Sequence, residues 1–297
     1  MFHTTKIIIP CLFSKSQDRL YKYFLLLFFV STIYSAQTYR FYYELNFKKD
    51  IRSEERFREL MMLDINEHET KFYAHRLLKA DSLLNLDNIY ELIGSGKVEI
   101  YPNFKEKLKR KTGGNINTSY YSPSISTYYA VKTKDIQNWQ IFNNEKVIEG
   151  FKAKEARVNY GGRSWTAWFT DEISFTEGPH KFRGLPGLIL ELKDSDGEYH
   201  FTFVGNEKIN NKVDTSFFLE TDFNHRKPIE ISEDKFIKIQ KEYFVHPFKD
   251  LGERKMYIEK EGERMEIDMK DKIKQAQERM LKESNFVEKN KILNFTS

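Results

Sequence analysis

The chain is nearly without cysteine: one residue in 297, Cys11, and none after it. Beyond that position no disulfide and no thiolate metal site can form. Glycine (14) and proline (7) are sparse, too few for a low-complexity or fibrous chain. No Gly-x-Ser-x-Gly elbow, phosphate-binding loop or His-Glu-x-x-His helix occurs. Those absences remove the short-motif arguments for an esterase, a nucleotide enzyme or a zinc protease. Net charge is small as well. Four of the 48 basic and one of the 44 acidic residues lie in the first 36 positions, so residues 37–297 carry 44 basic against 43 acidic groups. A nearly neutral body lacks the concentrated basic surface of a nucleic-acid binder. The one dense basic stretch, residues 105–111, includes Glu106 and reads as a solvated loop or helix face.

What is abundant is aromatic. Phe (25) and Tyr (17) bring the aromatic share to 15%, which favours pleated, half-buried surfaces. Near the start, Arg19 and Lys22 precede the apolar run Tyr23-Phe-Leu-Leu-Leu-Phe-Phe-Val30, and Ser35-Ala36 follows. A basic stretch, a short apolar run and a small residue make a secretory leader, and the run is shorter than the roughly 20 residues of a membrane span. The expectation is a signal peptide over 1–36, cleaved before Gln37, and a periplasmic or secreted, envelope-associated product. A start at Leu20 would leave 20–36 as a compact leader. Cys11 follows Pro10 and only three apolar residues, so it does not read as a lipidation site.

From residue 38 the pattern is of short strands. Alternating aromatic and polar residues mark 38–47, and 58–65 with 70–75 form a hairpin around Asn66-Glu67-His68. A short helix and loop are expected over 80–95 and short strands at 98–101, 126–132, 139–142 and 145–148. Gly161-Gly162 joins strands 151–160 and 163–170, since paired glycines supply the positive φ of a tight hairpin turn. Asp194-Ser-Asp-Gly197 joins 188–193 to 199–205. Its acidic pair does not continue as a calcium loop, because Tyr199 and Gly205 stand where Gly and Glu are needed. Ser232 then caps a helix carrying Phe236, Ile239, Tyr243 and Phe244, which Pro247 stops. Met269, Ile273, Ala276 and Met280 form a second amphipathic stripe. The fold class is therefore mainly β with C-terminal helices, α+β: a curved antiparallel sheet or partial barrel closed by helices, over one domain from 37 to 297.

Residues 163–191 concentrate the unusual chemistry. Trp165, Ala167 and Phe169 share one strand face and Trp168 takes the other, so both faces should be covered. Glu177-Gly-Pro-His-Lys-Phe-Arg183 follows, and Pro186-Gly187 suits the centre of a type II turn. The segment 177–187 is expected as an ordered surface loop. Gly184-Leu185-Pro186-Gly187-Leu188-Ile189, with the Trp-Thr-Ala-Trp-Phe-Thr strand, Gly178-Pro179 and Gly150-Phe151-Lys152, resembles the GLPGLI, or Porph_ging, family. The resemblance is strongest over 139–205. It implies an exported protein of Gram-negative origin with no established activity. Members often carry Trp where this chain has His180 and Cys near the position of Ala153, so a role needing that thiol is not carried over.

Two functional readings follow. In one the protein is a non-catalytic binding or accessory factor for a peptide, a lipid or an outer-membrane partner, with Trp165, Trp168, His180, Arg183, Leu185, Pro186 and Gly187 as candidate binding residues. In the other it is a periplasmic hydrolase using His180 with Glu172 or Glu177 as general base and orienting carboxylate. Neither reading calls for a cofactor or metal, and His68 and His75, seven apart on strands, face opposite ways.

Overall fold

The computed structural model describes residues 37–291 apart from 85–90, 92–94, 96–99, 125, 211–212, 223, 253–256 and 261. The expected leader lies outside these residues, as does the first half of the strand expected at 98–101. Strand β1 (Thr38–Phe47) shows how the sheet is laid down: Phe41, Tyr43, Leu45 and Phe47 are buried on one face, while Arg40, Tyr42 and Glu44 point the other way. β2 (Phe57–Ile65), β3 (Glu69–Ala74), β4 (Lys107–Lys111), β5 (Ile116–Tyr121) and β6 (Tyr129–Lys134) continue from it as one antiparallel meander. β7 (Gln140–Ile148), β8 (Phe151–Tyr160), β9 (Arg163–Thr170), β10 (Leu188–Asp194) and β11 (Tyr199–Ile209) make a second.

β11 pairs antiparallel with β1, which fuses the two meanders, and β12 (Ile229–Ile231) adds in parallel beyond β6. The result is a 12-stranded sheet whose outermost strands, β12 and β7, do not pair with each other, so it is open and not a closed barrel. Register breaks in β1, β7 and β10 bend it. At the expected Gly161-Gly162 turn both residues have positive φ (61° and 78°), the geometry that matches strand twist. Two sequence expectations need correction. Residues 105–111 form no solvated loop or helix, because most of them are β4. The two short strands at 139–142 and 145–148 are a single strand, β7, interrupted by a bulge.

The loop between β9 and β10, residues 171–187, lies inside the curl. Its side chains reach β3, β4, β6, β8 and β9: His180 meets Phe72, Arg110 binds Glu177, Lys181 donates to Thr133, and Phe182 packs on Tyr160 and Trp165. β4 and β9 are separated by five strands in the sheet, so one loop can touch both only if the sheet wraps around it. The opposite face of the first meander is covered by a single helical turn, Ser216–Glu220. Phe218 of this turn packs on Tyr73, and Tyr128 Oη donates to the Leu219 carbonyl at 2.7 Å.

Three α-helices lie among the described residues: α1 (Arg76–Leu84), α2 (Glu233–Val245) and α3 (Met269–Lys282). Ser232 Oγ accepts the Lys235 N–H, the N-cap expected from the sequence, and Phe236 of α2 stacks on Tyr121 of β5 at 4.2 Å. Asp268 caps α3 in the same way. The hairpin β13 (Tyr257–Lys260) and β14 (Glu263–Glu266) is separate from the main sheet. No helix among the described residues is long and apolar enough to cross a membrane.

Candidate functional site

The family-like loop is built from its glycines outward. Gly187 has φ 148°, and a Cβ there would sit 1.9 Å from the Thr170 carbonyl oxygen. No other residue fits without moving β9. The turn differs from the expected type II. The Gly187 N–H donates to the Leu185 carbonyl at 2.8 Å, closing a three-residue γ-turn centred on Pro186, whose ring supplies the negative φ such a turn needs. Gly178 is also pressed, though less closely, since a Cβ would come within 2.7 Å of the Ile189 side chain.

The loop is not the surface loop the composition suggests. Glu177, His180, Lys181, Phe182, Arg183 and Leu185 are all buried, and only Gly184 and Pro186 between them are exposed. Buried charge is tolerated only when paired and hydrogen-bonded, and here each one is. The Glu177 carboxylate is clamped by two guanidinium groups. Arg110 holds Oε2 through Nε at 3.0 Å and through Nη2, and Arg183 Nε donates to Oε1 at 3.3 Å. Arg110 Nη1 also donates to Asn117 Oδ1 and to the His180 carbonyl. Arg183 reaches Asn115, and its own carbonyl accepts Trp139 Nε1–H at 2.9 Å.

Lys181 is fully buried between Glu288 at 2.8 Å, Thr133 Oγ1 at 3.0 Å and Asp135 at 3.5 Å. Asp135 further accepts from Tyr160 Oη at 2.6 Å, Asn117 Nδ2 at 2.9 Å and Thr133 Oγ1 at 2.5 Å. Burial alone would raise its pKa. The Lys181 charge and these donors outweigh burial and hold the carboxyl below its usual range. From Glu288 the alternation of charge runs on through Lys291 to Glu233 of α2. The plug is thereby tied to the last described segment of the chain. Arg163, also fully buried, fastens that segment from the other side. It pairs with Asp194 at 2.7 Å and donates to Asn285 Oδ1 at 2.6 Å and to the Val287 and Phe286 carbonyls.

His180 does not meet the carboxylates proposed for it. Its Nε2–H donates to Glu106 Oε2 at 3.0 Å, since a carboxylate can only accept. Its Nδ1 is buried without a partner among the described residues. Phe72 and Phe104 stand against the ring, and its backbone takes a positive φ of 57° that is costly for a non-glycine residue. Glu106, against the effect of burial, is held below the usual carboxylate range by this imidazole. Glu172 is exposed and accepts the Lys152 N–H, and Glu177 is committed to arginines. The structure therefore brings together neither dyad named for a hydrolase.

The two tryptophans separate as expected. Trp165 is 1% exposed and packs on Phe182 at 4.7 Å, with Nε1–H donating to the Tyr160 carbonyl. Trp168 lies on the outer face, in a cross-strand row with Glu155 on β8 and Glu191 on β10. Lys146 stands 4.3 Å over its ring and pairs with Glu191, and His200 donates to Glu191 at 2.8 Å. The His200 hydrogen bond, with help from Lys146, pulls the Glu191 pKa down to about 2 against partial burial.

The acidic trio Asp194, Asp196 and Glu198 has carboxylates close enough for a cation. Arg163 pairs with Asp194 and Glu198, and Lys289 pairs with Asp196, so each of the three carboxylates already faces a protein cation. The turn itself is the expected hairpin, with Gly197 at φ 67°. Sequence reasoning missed Arg110, Asp135, Glu106 and Glu288, the partners that make the loop's charges tolerable. On strands or loops far from 177–187, they carry no local signal of that pairing.

A family model described as "Protein of unknown function (Porph_ging)" matches residues 119–191, in agreement with the resemblance of the hexapeptide. Among solved structures, those described as "Structure of PNGF-II in P21 space group" and "Structure of PNGF-II in C2 space group" are similar to the chain. They share 16% and 15% identity, at TM-scores of 0.47 and 0.48. The alignments cover 75% of this chain but 35% and 34% of those chains, so the chain spans about a third of their length. No curated protein matches it.

Proposed function

We propose that the protein is a non-catalytic binding or accessory factor, exported to the periplasm or cell envelope by residues 1–36, with residues 37–297 as its one functional domain. Its partner is a peptide, a lipid or an outer-membrane protein. The observation that carries this reading is where the loop chemistry is directed. Glu177, Lys181 and Arg183 pair with interior groups, and among the described residues the His180 ring meets Glu106 and two phenyl rings. A general base has to come within hydrogen-bond reach of a substrate proton, and a fully buried imidazole has no such approach.

On this reading Trp165, His180, Arg183, Leu185 and Gly187 serve binding indirectly, by holding the shape of a partly rolled sheet. Trp168 and Pro186, which reach the surface, are the candidate residues that touch a partner. The test is complementation of a strain lacking the native gene, with His180→Gln and Trp168→Ala compared at matched folded levels. Gln keeps a donor for Glu106. The expected outcome is that His180→Gln complements whenever it folds, while Trp168→Ala folds and fails. A folded His180→Gln protein that fails to complement would move the assignment to the hydrolase.

A further inference from the structure

On the sheet face opposite the plug, where α1 leaves the end of β3, lies a groove of about 350 Å³. Arg58, His75, Arg76 and Lys79 line it, with Glu44 and Glu59. Its charges do not balance. Glu59 is buried, accepts the Asn103 backbone N–H at 2.6 Å and pairs with Arg76 at 3.5 Å, so those two charges offset each other. Arg58 and Lys79 are exposed and have no acidic partner among the described residues, which leaves Glu44 against two cations.

The helix adds to the imbalance. α1 begins at Arg76 with no acidic residue in its first turn, so basic side chains stand at the positive end of the helix dipole, where an anion is favoured. His75 responds to the same field. Burial first, and then the Lys79 and Arg40 cations, lower its pKa, so near pH 7 the ring is a neutral hydrogen-bonding group and not a further charge.

We propose that this groove binds a phosphate group, with the Arg58 guanidinium and Lys79 ammonium as its main ligands. Arg58 offers the planar fork suited to two phosphate oxygens, and Lys79 is a mobile point charge beside it. Glu44 on the wall disfavours a bulky polyanion and leaves room for a single phosphate. The groove is larger than one such group, so the phosphate can be free or carried on a lipid headgroup. The inference stands apart from the reading of the plug, and either can fail without the other.

The test uses the purified chain in two arms. In the first, inorganic phosphate is titrated against sodium chloride at constant ionic strength and the melting temperature is followed. In the second, the protein is sedimented with phosphatidylcholine vesicles with and without phosphatidic acid. The expected result is a saturable rise in melting temperature with phosphate. The apparent Kd should weaken about ten-fold or more in Arg58→Ala/Lys79→Ala and stay unchanged in Lys241→Ala, an exposed cation on α2. Lys79→Glu, a charge reversal on an exposed helix position, gives a second reading if the double variant folds poorly. Vesicle binding that depends on phosphatidic acid and on the same two residues, without a response to free phosphate, supports the site with a headgroup as its source. No saturable response in either arm, or responses equal in the parent and in Lys79→Glu, would overturn the proposal.

Discussion

Replacing Lys181 with alanine tests whether the loop is a buried plug. The ammonium is fully buried and holds Glu288 at 2.8 Å, Asp135 at 3.5 Å and Thr133 at 3.0 Å. Removing it leaves two carboxylates in a dry site with one cation fewer. Breaking a buried pair from one side costs about 3–5 kcal/mol. Freeing the lysine chain returns about 1–2 kcal/mol of side-chain entropy, while the vacated stem leaves a small cavity that costs a similar amount. The net loss is about 3–5 kcal/mol, a large share of the roughly 5–15 kcal/mol that holds a domain together. In urea the unfolding midpoint should fall by about 1–2 M. Lys181→Met keeps the stem and isolates the charge. A cycle with Glu288→Gln should show a coupling of about 1–3 kcal/mol, because the two groups touch. A surface lysine would instead lose less than about 0.5 kcal/mol. A loss that small for Lys181→Ala, with no coupling to Glu288, would refute the buried plug.

Gly187→Ala should unfold the protein or cost more than about 4 kcal/mol, since its Cβ would overlap the Thr170 carbonyl. Gly184→Ala meets nothing within 4 Å and costs only the strain of a positive φ, about 1–2 kcal/mol. Thermal melts of the pair distinguish a packing requirement from a general preference for glycine, and similar losses would argue against it. Acid should also weaken the outer face. The Glu191 carboxyl titrates near 2 when folded and near 4.5 when unfolded, so the unfolded state binds the extra proton first. Its contribution is complete above pH 4.5 and is lost as the pH falls from there towards 2. Urea midpoints should therefore fall less steeply below pH 4.5 in Glu191→Gln than in the parent, and equal slopes would exclude this carboxyl as a source.

The strands were legible because their signal is local. Alternation over 38–47 and the two glycines at 161–162 each fix geometry within a few residues, and the structure follows both. The helix caps at Ser232 and the split of Trp165 from Trp168 are local in the same sense. The position of the loop was not legible, because Glu177, Lys181 and Arg183 belong to residue types that are almost always exposed. Their partners come from β4, the end of β6 and the last described segment, and a single sequence gives no way to link Lys181 to Glu288. Residues 105–111 misled for the same reason. Five basic residues in seven look solvated, yet Arg110 alternates inward with Leu108, and both are buried.

A specific sequence motif is often taken as the mark of chemistry, but here steric need accounts for much of it. Pro186 sets the φ of a γ-turn, Gly187 passes where any Cβ would strike β9, and Leu185, Leu188 and Ile189 are buried on either side. Each of these positions is constrained by shape alone, without a substrate. The charged residues around the motif are constrained by pairing, because a buried carboxylate such as Glu177 without Arg110 and Arg183 would cost several kcal/mol. The interior of the curl thus sets the loop's sequence tightly while leaving the outer face free to vary. On that outer face lie Trp168, the Glu191 and His200 pair, and the groove of Arg58 and Lys79. Recognition that differs from one relative to the next would be written there, and relatives that keep the plug but change these residues are expected to fold alike and bind different partners.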